Sequence, residues 1–170
     1  QIIANGTATD PIVFTRHNTG FWGTLLIQKR AANSSSFSHC IIEYAKESRN
    51  VTGISSPVTF DGGISVYKSA ITIQHNTFRN NNFNGLYVRE VTSTIDFSAN
   101  TFHDNGSNGT VIDQSTVNAI NNTYYNNSNR SSGQVAAIRS SNSTAYLVGN
   151  LIYNNDDFGI FTTAGGTHYL

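Results

Sequence analysis

Ile71-Thr-Ile-Gln-His-Asn-Thr-Phe78 and Ile95-Asp-Phe-Ser-Ala-Asn-Thr-Phe102 are two renderings of one phrase, begun 24 residues apart. Two looser renderings follow, Val117-Asn-Ala-Ile-Asn-Asn-Thr-Tyr124 and Ala145-Tyr-Leu-Val-Gly-Asn-Leu-Ile152. Aligned, they place Asn76, Asn100, Asn122 and Asn150 in one column, at spacings of 24, 22 and 28. Cys40 heads the same column, 36 residues before Asn76, once residues 46–57 are set aside as a loop insertion. A second landmark, a glycine, opens the next run each time: Gly63, Gly85, Gly109, Gly133 and Gly159. Between the landmarks lie polar bends such as Asn80–Asn84 and Asp104–Asn108, rich in residues that tolerate left-handed backbone angles.

Within each unit apolar residues alternate, as in Ile71/Ile73, Ile95/Phe97 and Leu86/Val88. Period two means strand, and no segment carries a 3.6-residue period, so helix is minor or absent. Two or three short strands plus their bends fill about 23 residues, one turn of a solenoid. The leucine framework of a leucine-rich repeat is missing, and a propeller blade needs roughly 40 residues. The pattern therefore predicts an all-β, right-handed parallel β-helix of six to seven coils, 22–28 residues per coil.

Stacking explains the asparagine column. Parallel in-register strands lie about 4.8 Å apart, so one polar side chain per coil meets its copy above and below. Asparagine has both a donor and an acceptor with which to continue such a ladder. Cys40, Asn76, Asn100, Asn122 and Asn150 are the predicted ladder, and Ile42, Phe78, Phe102, Tyr124 and Ile152, two residues on, the predicted inward stack. Residues 1–170 form one domain: irregular first coils over 1–36, the loop at 46–57, regular coils over 58–170. The apolar opening at Ile2-Ile3 and the close at Tyr169-Leu170 read as cuts within a longer chain or assembly.

The phrase Gly6-Thr7 … Asp10-Pro-Ile-Val-Phe-Thr15 … Gly20-Phe-Trp-Gly23 … Ser38-His-Cys-Ile-Ile-Glu-Tyr-Ala45 resembles the β-helix repeats of pectate-lyase-like and NosD-like extracellular surface proteins. The resemblance spans nearly the whole chain. It implies a fold that hosts lyases, hydrolases, epimerases, adhesins and structural coats, so it does not choose among them.

Composition narrows the field. Charged residues make up 12% of the chain and the formal net charge is zero. Nucleic acid and anionic membranes both call for basic patches, which are absent. No run reaches the ~18 apolar residues of a membrane span. Sequons stand at Asn5, Asn33, Asn50, Asn105, Asn108, Asn121, Asn126, Asn129 and Asn142, and with the scarcity of lysine they point to an extracellular or cell-surface setting and candidate glycosylation.

The register sorts the candidate chemistry. Glu43, Arg79, His103, Tyr125 and Tyr153 share an outward column, with Glu43 and Arg79 an expected ion pair. Tyr125 and Tyr153, with Tyr87, are the candidate glycan-binding aromatics. His39 and His75 are neighbours in the column before the ladder, but no third ligand joins them, so no metal or cofactor is expected. Asp96 lies between Thr72 and Asn118, Asp113 faces Arg89, and Asp61 and Asp10 fall elsewhere. Polysaccharide-cleaving β-helices need clustered acids. The ten acids here are dispersed, so no catalytic residue is assigned. The expectation is a non-catalytic structural or surface protein that associates with itself or with neighbouring β-helix coils. A polysaccharide lyase or hydrolase fragment and a glycan-binding module are the alternatives.

Overall fold

The computed structural model describes residues 1–28, 35–47, 58–128 and 134–170. Short β-branched and aromatic runs become strands, and each run ends where a polar bend turns the chain. The first coil is β1 (Ile3–Asn5), β2 (Ile12–Phe14) and β3 (Leu25–Gln28). The second is β4 (Ser35–Ser38), β5 (Cys40–Glu43) and β6 (Gly62–Tyr67), and the third β7 (Ile71–Gln74), β8 (Thr77–Arg79) and β9 (Asn84–Arg89). The fourth is β10 (Ile95–Ser98), β11 (Thr101–His103) and β12 (Thr110–Asp113), and the fifth β13 (Thr116–Ile120), β14 (Thr123–Tyr125) and β15 (Ala136–Ser141). The sixth is β16 (Thr144–Val148), β17 (Leu151–Tyr153) and β18 (Phe158–Thr163), after which β19 (Thr167–Tyr169) starts another turn.

Each coil gives one strand to each of three parallel sheets. The first sheet runs β1-β4-β7-β10-β13-β16-β19, the second β2-β5-β8-β11-β14-β17, the third β3-β6-β9-β12-β15-β18. The first coil pairs in register with the second, through Ile3↔Ser36, Ile12↔Cys40 and Leu25↔Ile64.

Three corners join the sheets, and each is held by a left-handed residue. One column is His39, His75, Ala99, Asn121 and Gly149; a second is Tyr44, Asn80, Asp104, Asn126 and Asn154; a third is Lys68, Glu90, Gln114, Asn142 and Gly165. Such angles are uncommon outside glycine. Here the corner N–H groups are not wasted: His75 N donates to Ser98 O (3.1 Å), Ala99 N to Ile120 O (3.0 Å) and Asn121 N to Val148 O (2.8 Å). The next coil satisfies the backbone that the corner would otherwise expose.

The interior is one continuous stack. Phe78, Phe102 and Tyr124 lie ring over ring, at centroid separations of 4.8 Å and interplanar angles of 9° and 7°. Phe37, Ile73, Phe97 and Ala119 line the first sheet, and Ile64, Leu86, Thr110 and Ile138 the third. The glycine column differs from the one expected. Gly63, Gly85 and Gly109 continue at Ala137, because Thr110 pairs with Ile138. Gly133 lies outside the described residues, as do residues 48–57 of the expected loop. The coil gains length between Ser128 and Gln134, and the register resumes four residues later than a 24-residue repeat would place it.

Candidate functional site

Buried asparagine ladders run along two corners of the coil. In the first, Asn76 Nδ2 donates to Asn100 Oδ1 (3.0 Å), Asn100 to Asn122 (3.1 Å) and Asn122 to Asn150 (3.1 Å). Each amide also donates to a strand carbonyl, Asn100 to Ile73 O at 3.1 Å. Cys40 sits at the head of this column, but only its backbone N–H joins the ladder, donating to Asn76 Oδ1 (2.8 Å). Its thiol is buried and donates to Ala4 O (3.3 Å), and that burial pushes its pKa above the ordinary value.

The second ladder went unread in the sequence. It is Asn81, Asn105, Asn127 and Asn155, linked Nδ2 to Oδ1 at 2.9, 2.9 and 3.0 Å. Its spacings of 24, 22 and 28 duplicate those of the first ladder five residues upstream. That repetition was the available signal, hidden because these residues lie in stretches that look like generic polar bends.

Burial corrects two of the sequon expectations. Asn105 has 0% exposure and donates to both Phe78 O and Asn127 Oδ1, and Asn108 is buried with its amide on Asn84 and Ser107. An amide nitrogen committed to the interior cannot carry a glycan in the folded coil. Asn5, Asn121, Asn126 and Asn142 are exposed, and Asn33, Asn50 and Asn129 lie outside the described residues.

The aromatic expectations change as well. Tyr125 stacks between His103 (4.7 Å, 4°) and Tyr153 (5.2 Å, 10°). In-register stacking covers the ring faces and leaves edges outward, whereas a sugar stacks on a face. Tyr87 does not belong with them. It is 8% exposed and packs with Phe60 and Tyr67 on a different sheet. His39 and His75 do stack, at 5.0 Å and 15°, and among the described residues no group of three or more His, Cys, Asp or Glu could hold a metal ion. Arg79 meets Glu43 at 2.7 Å, and Glu43 also accepts from Thr15 (2.8 Å), so this pair is less exposed than its outward column implied. Ser140 Oγ and His168 Nε2 lie 2.6 Å apart, with Ser140 wholly buried.

The outer face of the third sheet is partly covered by a non-repeating segment. Its outward column reads Ser65, Tyr87, Val111 and Arg139, with no residue repeated. Across it lies the strap of residues 58–61, pinned by Phe60, which is fully buried against Tyr67 (5.7 Å) and Tyr87 (6.3 Å). Between strap and sheet opens a polar cleft of about 270 Å³. Asp61, Asp113 and Arg139 all line it, three charges that the sequence had left dispersed. Asp113 is held by Arg89 (2.9 Å), itself shared with Glu90 (3.0 Å). Asp61 accepts from Asn84 Nδ2 (2.7 Å), at the end of a short amide chain in which Asn108 donates to Asn84 (2.8 Å). Burial pushes Asp61 up to about 6, against the opposing pull of the Asn84 hydrogen bond.

The family follows from this architecture. A family model described as a right handed beta helix region matches residues 31–169, and the chain belongs to that family. No curated protein and no solved structure matches it. Membership fixes the fold and leaves activity to the particular surface.

Proposed function

We propose that this chain is a non-catalytic structural part of an extracellular or cell-surface β-helix protein, a coat, sheath, fibre or adhesin, whose coils associate with further β-helix coils by in-register stacking. The observation that carries this reading is the continuity of the ladders. Amide chains, ring stacks and three parallel sheets run through successive coils by one repeated contact, which an added coil would extend without new chemistry. Among the described residues the outermost strand at each end of each sheet pairs on one side, and Ile3, Val13 and Leu151 are exposed on such strands. Open edges of this kind are templates for another strand. The low charge and the exposed sequons at Asn5, Asn121, Asn126 and Asn142 support the extracellular setting.

Sedimentation velocity across a concentration series, with electron microscopy of the same samples, tests the self-associating form. The expected result is end-to-end oligomers that disappear when Leu151→Lys and Tyr169→Lys together place charge on the outermost strands β17 and β19. A chain that stays monomeric up to its solubility limit refutes self-association. The glycan-binding alternative on Tyr125, Tyr153 and Tyr87 draws no support from ring faces that cover one another.

A further inference from the structure

The geometry points to the cleft beneath the strap as a binding site for a small zwitterion, a molecule carrying an ammonium and a carboxylate on one short frame. Arg139 is the first reason. Its Nε is buried without any hydrogen-bond partner, and among the described residues no carboxylate lies within ion-pair distance of it. The other described arginines of the regular coils behave differently, since Arg79 holds Glu43 and Arg89 holds Asp113 and Glu90. A buried guanidinium donor left unpaired in an otherwise satisfied structure marks a place where an acceptor belongs.

Asp61 is the second reason. It lines the same cleft, and among the described residues its hydrogen-bonding side-chain partner is the neutral amide of Asn84. The positive charge of Arg139 reaches it, yet the two do not form an ion pair. The other polar groups of the cleft are already committed. Asp113 is held by Arg89, Asn84 and Asn108 form the amide chain, and Ser140 turns inward to His168. Among the described residues the cleft leaves open one cation and one anion, with the hydroxyl-bearing Thr59 and Ser141 beside them.

The charges discriminate among ligands. A simple anion on Arg139 would face Asp61 and Asp113 across the cleft, and Glu47 adds negative charge nearby. A metal cation on Asp61 would face Arg139, with Arg89 close behind Asp113. A neutral polyol would leave both charges unmatched. A zwitterion meets both, its carboxylate on the planar fork of Arg139 and its ammonium on Asp61. At ~30 Å³ per water-sized group, 270 Å³ holds roughly nine heavy atoms, the size of a free amino acid or a short dipeptide.

The test is calorimetric titration of the purified chain with glycine, β-alanine, 4-aminobutyrate and glycylglycine, which vary the charge separation, and with acetate, methylammonium, calcium and glucose as single-feature probes. The expected result is saturable binding of at least one zwitterion, none of the single-feature probes, and at least tenfold weakening by Arg139→Gln and by Asp61→Asn. Arg139→Lys, which keeps the charge and loses the fork, is expected to weaken binding less than Arg139→Gln. Circular dichroism and backbone amide spectra report whether each variant folds. Should one of them not fold, the probe comparison on the unaltered chain still decides. Binding of acetate or calcium as tight as that of any zwitterion overturns the proposal, as does binding of glucose. So does the absence of any zwitterion binding, or binding indifferent to both Arg139→Gln and Asp61→Asn.

Discussion

Asn105→Ala is expected to destabilise the chain by about 4 kcal/mol, although it removes only a small polar side chain. Asn105 is wholly buried and occupies all of its hydrogen-bonding capacity. Its Nδ2 donates to Phe78 O (3.0 Å) and Asn127 Oδ1 (2.9 Å), and its Oδ1 accepts from Asn81 N (3.3 Å) and Asn81 Nδ2 (2.9 Å). After truncation the Asn81 side chain keeps Ile42 O and Asn127 Oδ1 keeps the Asn105 backbone N–H. The carbonyl of Phe78 loses its side-chain donor and the N–H of Asn81 loses its acceptor, both in the buried interior. Each orphaned buried group costs about 1–3 kcal/mol. Two of them give the figure, which corresponds to a fall in Tm of roughly 8–16 °C for a domain of this size. Asn105→Asp preserves the shape but points carboxylate oxygens at two carbonyls, and is expected to cost more than alanine. Asn155→Ala, at the half-buried end of the same ladder, is expected to cost less than half as much. Solenoids can unfold in segments, so urea denaturation followed by circular dichroism should be paired with hydrogen exchange at Asn81, whose protection must collapse. A loss below about 1 kcal/mol, or equal losses at positions 105 and 155, would refute the ladder as a source of stability.

Three further outcomes follow from particular contacts. Expressed through a secretory pathway that glycosylates, the chain should carry glycan at exposed Asn121 or Asn126 and none at buried Asn105 and Asn108, as read by peptide mass spectrometry. Gly109→Ala would set a Cβ 2.7 Å from Ala137 O and from a Tyr124 ring carbon, so it should cost about 1–3 kcal/mol, while Gly20→Ala, with nothing within 4 Å, should be near neutral in thermal denaturation. Asp61, held near 6 instead of 3.8, binds its proton more tightly folded than unfolded. Stability from this group is therefore full below pH ~4, falls as pH rises toward 6, and is level above. Asp61→Asn cannot ionise and should overtake the parent by up to about 3 kcal/mol at neutral pH while matching it near pH 4. Equal pH profiles in urea denaturation would count against the buried acid.

The fold was legible because its physics is periodic. One alternation and one asparagine per coil gave the strands, the corner and the inward stack of Phe78, Phe102 and Tyr124. The second ladder was equally periodic but lay in segments whose composition alone says bend. Nothing in composition distinguishes Asn126, which is exposed and left-handed, from Asn127, which is buried and bonded to its neighbours. Only the spacing does, and spacing must be sought at every column. The glycine column slipped for a related reason, since the inserted residues before Gln134 moved the register to Ala137.

The cleft was illegible for the opposite reason. Its members come from the strap, from β9, β12 and β15, and from the bend before β12, so no column contains Asp61 together with Arg139. A reading that follows columns finds what repeats, and what repeats in this chain is structural: amides consumed by ladders, ring faces consumed by stacks, corner N–H groups consumed by the next coil. Ligand recognition requires valences that the stack has not consumed. They are found where Phe60 anchors a non-repeating segment over the sheet, beside a guanidinium with an unmatched Nε and an acid whose burial works against stability. Among the described residues, Arg139 Nε is the buried side-chain nitrogen without a partner, and it departs from the satisfied pattern at this outer face. Departures of that kind are expected at functional surfaces, which makes the third sheet, and not the tyrosine edge of the second, the face on which chemistry should be sought.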